Sequence, residues 1–164
     1  MCSGKSTVGA ALARRLEWSF LDFDVEIEHR EGCTVKEIVD GRGQETFRAM
    51  EAALTEEAAR VDGAVLAPGG GWITRPELLG RLGPDTLSVW LRVSPPEAVR
   101  RLNDDTIARP FRGEADALPR VAAMLAEREP LYRLADLTIP VDGRTPEEIA
   151  FEVEQVVRLR GALR

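Results

Sequence analysis

Residues Gly4–Thr7 form a Gly-Lys-Ser-Thr segment that leads directly into a stretch with helical periodicity, in which apolar residues share one face between Ser6 and Leu16. Backbone N–H groups at the first turn of a helix attract phosphate. In the phosphate-binding motif G-x-x-x-x-G-K-[ST], the lysine holds the β- and γ-phosphates and the following hydroxyl binds Mg²⁺. Lys5 and Ser6 occupy those two positions. The segment therefore predicts an α/β domain that binds a nucleoside triphosphate.

The sequence contains only the last part of this motif. The first glycine would fall two residues before Met1, and a buried strand normally precedes the loop. We therefore expect an apolar strand, followed by that glycine, upstream of Met1. On this interpretation the start of the sequence is misplaced or trimmed, and the phosphate-binding function is retained.

Length and composition indicate one globular domain. The chain has 164 residues, of which 44% are hydrophobic, and its net charge is −6. This size suits a single domain over residues 1–164, and the negative charge disfavours binding to nucleic acid. No apolar run in the sequence approaches the length of a membrane-spanning helix. Cys2 and Cys33 lack metal-site spacing and fit a reducing compartment, so we expect a cytoplasmic monomer without membrane or nucleic-acid partners.

Short apolar segments alternate with helical patterns along the chain. This order predicts an α/β fold in which helices cover both faces of a parallel sheet. Strands are predicted at 18–22, 63–67, 86–93 and 137–141. Helices are predicted at 6–16, 25–31, 35–41, 44–60, 76–81, 95–102, 119–133 and 145–159. With the strand expected upstream, the prediction is a three-layer α/β/α fold of the P-loop type, with a central parallel sheet of about five strands and a polar lid at about 103–117.

Two aspartates follow the first predicted strand, in the segment Leu21-Asp22-Phe23-Asp24. Ligands of parallel sheets bind at the carboxyl ends of the strands. Residues two apart on an extended segment point the same way, so both carboxylates would face one site, one near a metal and one near an acceptor hydroxyl. Alternatively, Asp24 caps the helix that follows. The segment alone favours neither interpretation, and the preceding phosphate loop favours the site.

Two further motifs have residue types that suit ligand binding. Arg48 and Glu51 are three residues apart on a predicted helix, where they form either a surface ion pair or a pair in which Glu51 orients Arg48 toward an anion. Gly69-Gly70-Gly71 follows the second predicted strand, where glycines let the backbone approach a ligand closely. The alternative for the three glycines is a loose turn.

Taken in order, these motifs resemble those of the shikimate kinase family. They are Gly-Lys-Ser-Thr at 4–7, Leu-Asp-Phe-Asp at 21–24, Phe-Arg at 47–48 with Glu51, the triple glycine at 69–71, Arg109-Pro110 in the lid, and Glu-Pro-Leu-Tyr-Arg at 129–133. Each motif alone is weak, whereas six in this order are specific, and they cover the chain from Met1 to about Val157. The resemblance implies a kinase that uses ATP and Mg²⁺ to phosphorylate the 3-hydroxyl of shikimate, giving shikimate 3-phosphate and ADP, in aromatic amino-acid biosynthesis.

The same resemblance implies a role for each matching residue. The residues implied in catalysis are Lys5, Asp24 and Arg109. Those implied in binding ATP are Gly4, Lys5, Ser6, Thr7, Arg101, Arg109 and Pro146. Those implied in binding shikimate are Asp24, Arg48, Gly69, Gly70, Gly71 and Arg133. The implied ligands of Mg²⁺ are Ser6 and Asp22.

For several of these residues the resemblance also implies which group of the substrate or nucleotide they contact. Asp24 would act as base or positioner for the acceptor hydroxyl. Arg48 and Arg133 would hold the shikimate carboxylate, because the guanidinium fork matches a carboxylate. The lid arginine would reach the transferred phosphate, and Arg101 and Pro146 would enclose the adenine ring.

The sequence departs from the family at two places. Trp72 follows the triple glycine, where family members usually carry a smaller residue. It either anchors the helix predicted at 76–81 in the core or reshapes the substrate pocket. The acidic segment Asn103-Asp104-Asp105 would alter lid motion or the affinity for ATP.

Two alternative functions stay open. One is another small-molecule kinase, such as a gluconate kinase, and the other is a nucleotide-binding domain that has lost phosphoryl transfer.

Overall fold

The computed structural model of the protein describes residues 2–104 and 113–162. Within these ranges, helices and strands alternate in the predicted order, so the α/β class is confirmed. The helices are α1 (Lys5–Leu16), α2 (Phe23–Glu31), α3 (Val35–Arg42), α4 (Gln44–Ala58), α5 (Glu77–Arg81), α6 (Pro95–Asp104), α7 (Ala117–Tyr132) and α8 (Pro146–Ala162). The strands are β1 (Ser19–Asp22), β2 (Ala64–Ala67), β3 (Val89–Arg92) and β4 (Leu137–Pro140), and a short 3-10 turn spans Trp72–Thr74. Over the described ranges, no helix has both the length and the apolar character needed to cross a membrane.

The strands form two separate parallel pairs rather than one sheet. In the first pair, Ser19 of β1 lies opposite Ala64 of β2. In the second pair, Val89 of β3 lies opposite Leu137 of β4. The described residues contain four strands, so they do not form the expected central sheet of about five.

Both pairs of strands line a cavity of about 1000 Å³. Val65 and Leu66 of β2 contribute to its wall, and so do Val89 and Leu91 of β3. These side chains are only half-buried, although their segments have the apolar composition of buried strands. The cavity explains why strands that look buried in the sequence remain partly exposed.

Two hydrophobic clusters hold the helices in place. In the first cluster, Val8 and Leu12 of α1 pack with Ile149 of α8, and α6, α7 and β4 also contribute. The second cluster joins α2, α3, α4 and α5 through Phe23, Ile38, Leu54 and Leu78. Full burial of one such side chain contributes about 1.5–3 kcal/mol. The first cluster therefore supports the helix that starts at the Gly-Lys-Ser-Thr motif, and the second supports the helices that carry Asp24 and Arg48.

The junction between β1 and α2 differs from the prediction. Asp22 ends the strand, and its Oδ1 atom accepts hydrogen bonds from the backbone N–H groups of Asp24 (3.1 Å) and Val25 (3.4 Å). Asp22 is therefore the N-cap of α2, which begins at Phe23. The alternative in which Asp24 caps this helix is wrong. The expectation that both carboxylates lie on an extended segment is also wrong, because Asp24 belongs to the first helical turn.

Candidate active site

The Gly-Lys-Ser-Thr motif forms the start of α1. Gly4 is the N-cap residue and has a φ of 88°, a left-handed conformation that glycine adopts without strain. Its carbonyl accepts the first hydrogen bond of the helix, from the N–H of Val8 (2.8 Å). The N–H groups of the first helical turn have no acceptor within a helix, and such groups attract phosphate. Ser6 and Thr7 are exposed in this turn, and Lys5 is half-buried.

The two residues predicted to bind a metal are in contact. The Ser6 hydroxyl donates a hydrogen bond to Oδ2 of Asp22, while Oδ1 of the same carboxylate caps α2. One side chain therefore connects the start of α1 with the start of α2. Within the described ranges, no group of three or more histidine, cysteine or acidic side chains is arranged to hold a metal ion. A metal here would depend on the hydroxyl–carboxylate pair together with ligands from a bound nucleotide.

Arg48 and Glu51 form a buried ion pair on α4. The side chains of Arg48 and Glu51 are 12% and 1% exposed, and Nη1 of Arg48 donates to Oε2 of Glu51. The guanidinium also lies over the ring of Phe47, 5.4 Å from its centroid. Removal of one partner from a buried pair typically costs about 3–5 kcal/mol, because the other charge is left uncompensated. The surface ion pair considered from the sequence is therefore wrong.

The triple glycine lies directly against this pair. A Cβ atom on Gly71 would overlap the guanidinium of Arg48. A Cβ atom on Gly69 would lie 2.5 Å from Oε1 of Glu51 and 2.9 Å from Oδ1 of Asp24. The side chains of Arg48, Glu51 and Asp24 thus pack directly against the loop backbone, so the loose-turn alternative is wrong. These residues form what we call the acceptor cluster, which consists of Asp24, Arg48, Glu51 and Gly69–Gly71.

The carboxyl group of Glu51 is buried beside a second carboxylate. Burial raises the pKa of Glu51 above its ordinary value of 4.5, and the negative charge of Asp24 acts in the same direction. The Arg48 guanidinium opposes this shift without cancelling it. Among the described residues, Oε1 of Glu51 has no hydrogen-bond partner. The acceptor cluster therefore holds Arg48 with a glutamate whose negative charge is only partly compensated.

Two side chains of α7 contact the middle of the triple glycine. Nη1 of Arg128 and the hydroxyl of Tyr132 both donate to the carbonyl oxygen of Gly70, at 2.9 and 3.1 Å. The ring of Tyr132 stacks on that of Trp90 in β3, with centroids 5.6 Å apart. Arg128 is therefore a candidate site residue that the sequence analysis missed.

Arg133 does not reach the acceptor cluster in this structure. Its guanidinium donates to Glu129 at 2.6 Å, and its side chain is 67% exposed. Arg128, and not Arg133, contacts the triple glycine. Helical spacing is the signal that distinguishes them, because Arg128 and Tyr132 are four residues apart and share one face, whereas Arg133 is one residue out of phase.

Arg101 connects α6 with the segment before α1. Its Nη2 atom donates to the carbonyl of Val141 (3.1 Å), and its Nη1 atom lies 3.5 Å from the carbonyl oxygen of Cys2. Pro146 is the first residue of α8 and is half-buried. The enclosure of adenine by Arg101 and Pro146 stays a prediction. Arg109 lies outside the described residues, as does most of the predicted lid.

Trp72 is buried in the second hydrophobic cluster together with Leu78 of α5. Its interpretation as a core anchor for this helix is therefore confirmed. The indole also has a polar contact that the sequence did not indicate, because its Nε1 atom donates to the hydroxyl of Thr55 on α4 at 2.9 Å.

Comparison with known proteins identifies the family. A family model described as shikimate kinase matches residues 1–158. The chain belongs to the shikimate kinase family. A shikimate kinase of Synechococcus sp. (strain CC9605) is 38% identical to it over 157 residues, which are 96% of this chain and 78% of that protein. A shikimate kinase of Moorella thermoacetica is 39% identical over 159 residues, which are 96% of this chain and 90% of that protein.

The fold is also that of a solved shikimate kinase. The shikimate kinase from Acinetobacter baumannii, solved in complex with shikimate, superposes with a TM-score of 0.86 at 32% identity. The match covers 98% of this chain and 89% of that one. The resemblance drawn from six sequence motifs is therefore confirmed, and with it the α/β fold of the P-loop type.

We expect Glu51→Gln to change the pH dependence of stability. Because burial raises the pKa of Glu51, the folded chain binds this proton more tightly than the unfolded chain. The tighter binding of this proton stabilises the folded chain at a pH below 4.5, the ordinary pKa of a glutamate. This stabilisation is lost as the pH rises through the raised pKa of Glu51. The free energy of unfolding of the parent, measured with urea, should therefore fall more steeply than that of Glu51→Gln between about pH 4 and about pH 8.

The control is Glu56→Gln, which removes an exposed glutamate from the same helix. It measures the general effect of losing one carboxyl group from α4. The change in slope caused by Glu51→Gln should exceed that of the control. Equal slopes for the parent and Glu51→Gln would contradict the environment described for Glu51.

Proposed function

We propose that this chain transfers the γ-phosphoryl group of ATP to the 3-hydroxyl of shikimate, giving shikimate 3-phosphate and ADP. One observation carries the proposal: the buried guanidinium of Arg48 lies against the backbone of Gly71, and Asp24 lies beside Gly69. A guanidinium suits a carboxylate, and a nearby carboxylate suits a hydroxyl that must lose a proton. Shikimate carries both groups. Membership of the family, and the shikimate complex of the Acinetobacter baumannii kinase, support the same acceptor.

The donor half of the site would lie at the start of α1. Phosphoryl transfer depends on positioning and charge neutralisation more than on covalent chemistry. The backbone of the first helical turn and the Lys5 ammonium supply both for the phosphates of ATP. The proposed ATP-binding residues are Gly4, Lys5, Ser6, Thr7, Arg101, Arg109 and Pro146.

Ser6 and Asp22 fit a magnesium site. A hydroxyl and a carboxylate are hard oxygen ligands, and Mg²⁺ usually retains several waters and takes only one or two protein ligands besides phosphate. The carboxylate oxygen that accepts from Ser6 is not the one that caps α2, so the cap can persist when that oxygen faces a metal or its water. When bound, Mg²⁺ neutralises charge on the phosphates.

On the acceptor side, two arginines reach the triple glycine from different helices, Arg48 from α4 and Arg128 from α7. We propose that both guanidinium groups hold the shikimate carboxylate, and that Arg128 has the role implied for Arg133. Asp24 would orient the 3-hydroxyl and accept its proton through Oδ1, the oxygen beside Gly69.

An assay that couples ADP release to an indicator reaction tests the proposal. Release should depend on shikimate, and gluconate should not replace it. Asp24→Asn should lower kcat by about 100-fold or more, because the hydroxyl loses its proton acceptor. Asp40→Asn, at an exposed aspartate of α3, is the matched control and should keep the parental kcat. Shikimate-independent release, or near-parental turnover by Asp24→Asn, would count against the proposal.

Arg128 of α7 and Arg133, the residue that directly follows this helix, provide a second test. Arg128→Ala should raise the KM for shikimate about 10- to 100-fold, because one charge-assisted contact with the carboxylate is lost. Arg133→Ala should leave this KM within about twofold, because the Arg133 side chain pairs with Glu129 and is mostly exposed. The reverse pattern would return the role to Arg133.

We also propose that a fifth strand occupies the cavity lined by β2 and β3. Within the described ranges β2 pairs only with β1, and β3 only with β4, so each pair has an edge that can accept another strand. Ser3, just before α1, lines the same cavity. A parallel strand in this cavity, connected to Ser3 by the phosphate-binding loop, would fill apolar space and join both pairs into one sheet.

This strand can be tested by extending the chain. An added segment of about five apolar β-branched residues, joined to Met1 through a glycine and one further residue, should raise the free energy of unfolding by about 2 kcal/mol or more. The control extension has the same length, with serine and asparagine in place of the apolar residues. Equal stability of both extended chains would exclude a strand in the cavity.

A further inference from the structure

Trp72 closes the glycine loop at its carboxyl end. It is the first residue of the 3-10 turn that follows Gly71, and its backbone N–H donates to the carbonyl of Gly69 at 3.0 Å. The residue is only 6% exposed. A shift of the indole would therefore move the loop backbone with it.

Two consecutive hydrogen bonds connect this indole to α4. Nε1 of Trp72 donates to the hydroxyl of Thr55 (2.9 Å), and that hydroxyl donates to the backbone carbonyl of Glu51 (2.8 Å). Thr55 is fully buried. Because its single proton is donated to Glu51, its oxygen is the acceptor that the indole N–H requires. The glycine loop is thus fixed to the helical turn that carries the buried ion pair.

The position of the loop matters because the loop and the ion pair are in direct contact. The guanidinium of Arg48 lies so close to Gly71 that a Cβ atom there would overlap it. Displacement of the loop relative to α4 would therefore move the guanidinium or open a gap beside it. Groups that bind a ligand must usually be held within about 0.5 Å of their productive geometry.

We propose that Trp72 is a positioning residue that sets the affinity of the acceptor cluster for its carboxylated acceptor. It acts through Thr55, which fixes the glycine loop against Arg48. The inference rests on the proposed function, because it takes Arg48 to bind the acceptor carboxylate. Trp72 packs in the second hydrophobic cluster and α1 in the first, so nucleotide affinity should not depend on Trp72.

The test uses Trp72→Phe, Thr55→Val and the double variant of the full chain. Trp72→Phe keeps an aromatic ring and removes the donor, whereas Thr55→Val keeps the shape and removes the hydroxyl. Isothermal titration calorimetry gives the Kd for shikimate and, separately, for ADP. Each single variant should raise the Kd for shikimate about three- to tenfold, and the double variant should match them, because all three break the same connection. The Kd for ADP should stay within about twofold, which also shows that each variant is folded.

Two controls separate the hydrogen bond from general packing. Thr55→Ser retains the hydroxyl and should bind shikimate within about twofold of the parent. Trp18→Phe makes the same substitution at a tryptophan that is 40% exposed and lies just before β1, and it should change neither Kd.

The outcomes are distinguishable. Absence of shikimate binding by the parent overturns the proposed function itself. Binding by the parent with an unchanged Kd in both single variants overturns only the role of Trp72. The same role is overturned by equal increases for shikimate and ADP, or by a double variant whose increase is the product of the single ones.

Discussion

The carboxylate of Asp22 is the contact on which both halves of the site depend. Its Oδ2 atom accepts from Ser6 at the start of α1, and its Oδ1 atom caps α2. Asp22 also pairs in parallel register with Ala67, so the glycine loop after β2 emerges at the same edge as α2. One side chain therefore connects the start of α1 with the helical turn that carries Asp24.

The acceptor cluster shows why buried charge is retained here. Burial of an ion pair rarely adds stability, since desolvation opposes the attraction between the charges. The side chains of Arg48 and Glu51 are nevertheless only 12% and 1% exposed. The glycine backbone packs against this pair, and the Trp72–Thr55 hydrogen bond lies on the same helix. An arginine held this firmly would lose little further freedom if an anion bound to it, so under the proposed role the cost of burial would support binding rather than folding.

The sequence was most informative where the signal was local. The helix predicted to start at Ser6 starts at Lys5, Arg48 and Glu51 pair on α4 as one of the two alternatives required, and the three glycines follow β2. The sequence analysis was wrong where two residues could fill the same role, and it missed a contact between residues far apart in the chain. Asp22 took the cap that was considered for Asp24, because a strand end can also be a helix N-cap. Arg128 was missed because its partner, the Gly70 carbonyl, lies 58 residues away and only the helical phase of α7 points to it.

The two hydrophobic clusters divide the protein along the line between donor and acceptor. The start of α1 belongs to the first cluster, and the acceptor cluster is built on helices of the second. Phosphoryl transfer requires the two halves to align closely, and misplacement by about 1 Å is enough to slow such a reaction. Their alignment relies on the packing of Val65 of β2 against the first cluster. It relies also on polar contacts between the two sides, namely Ser6 with Asp22, and Arg128 and Tyr132 of α7 with Gly70. These bonds are directional, unlike apolar packing, and so they can fix the orientation of the acceptor hydroxyl toward the phosphate loop.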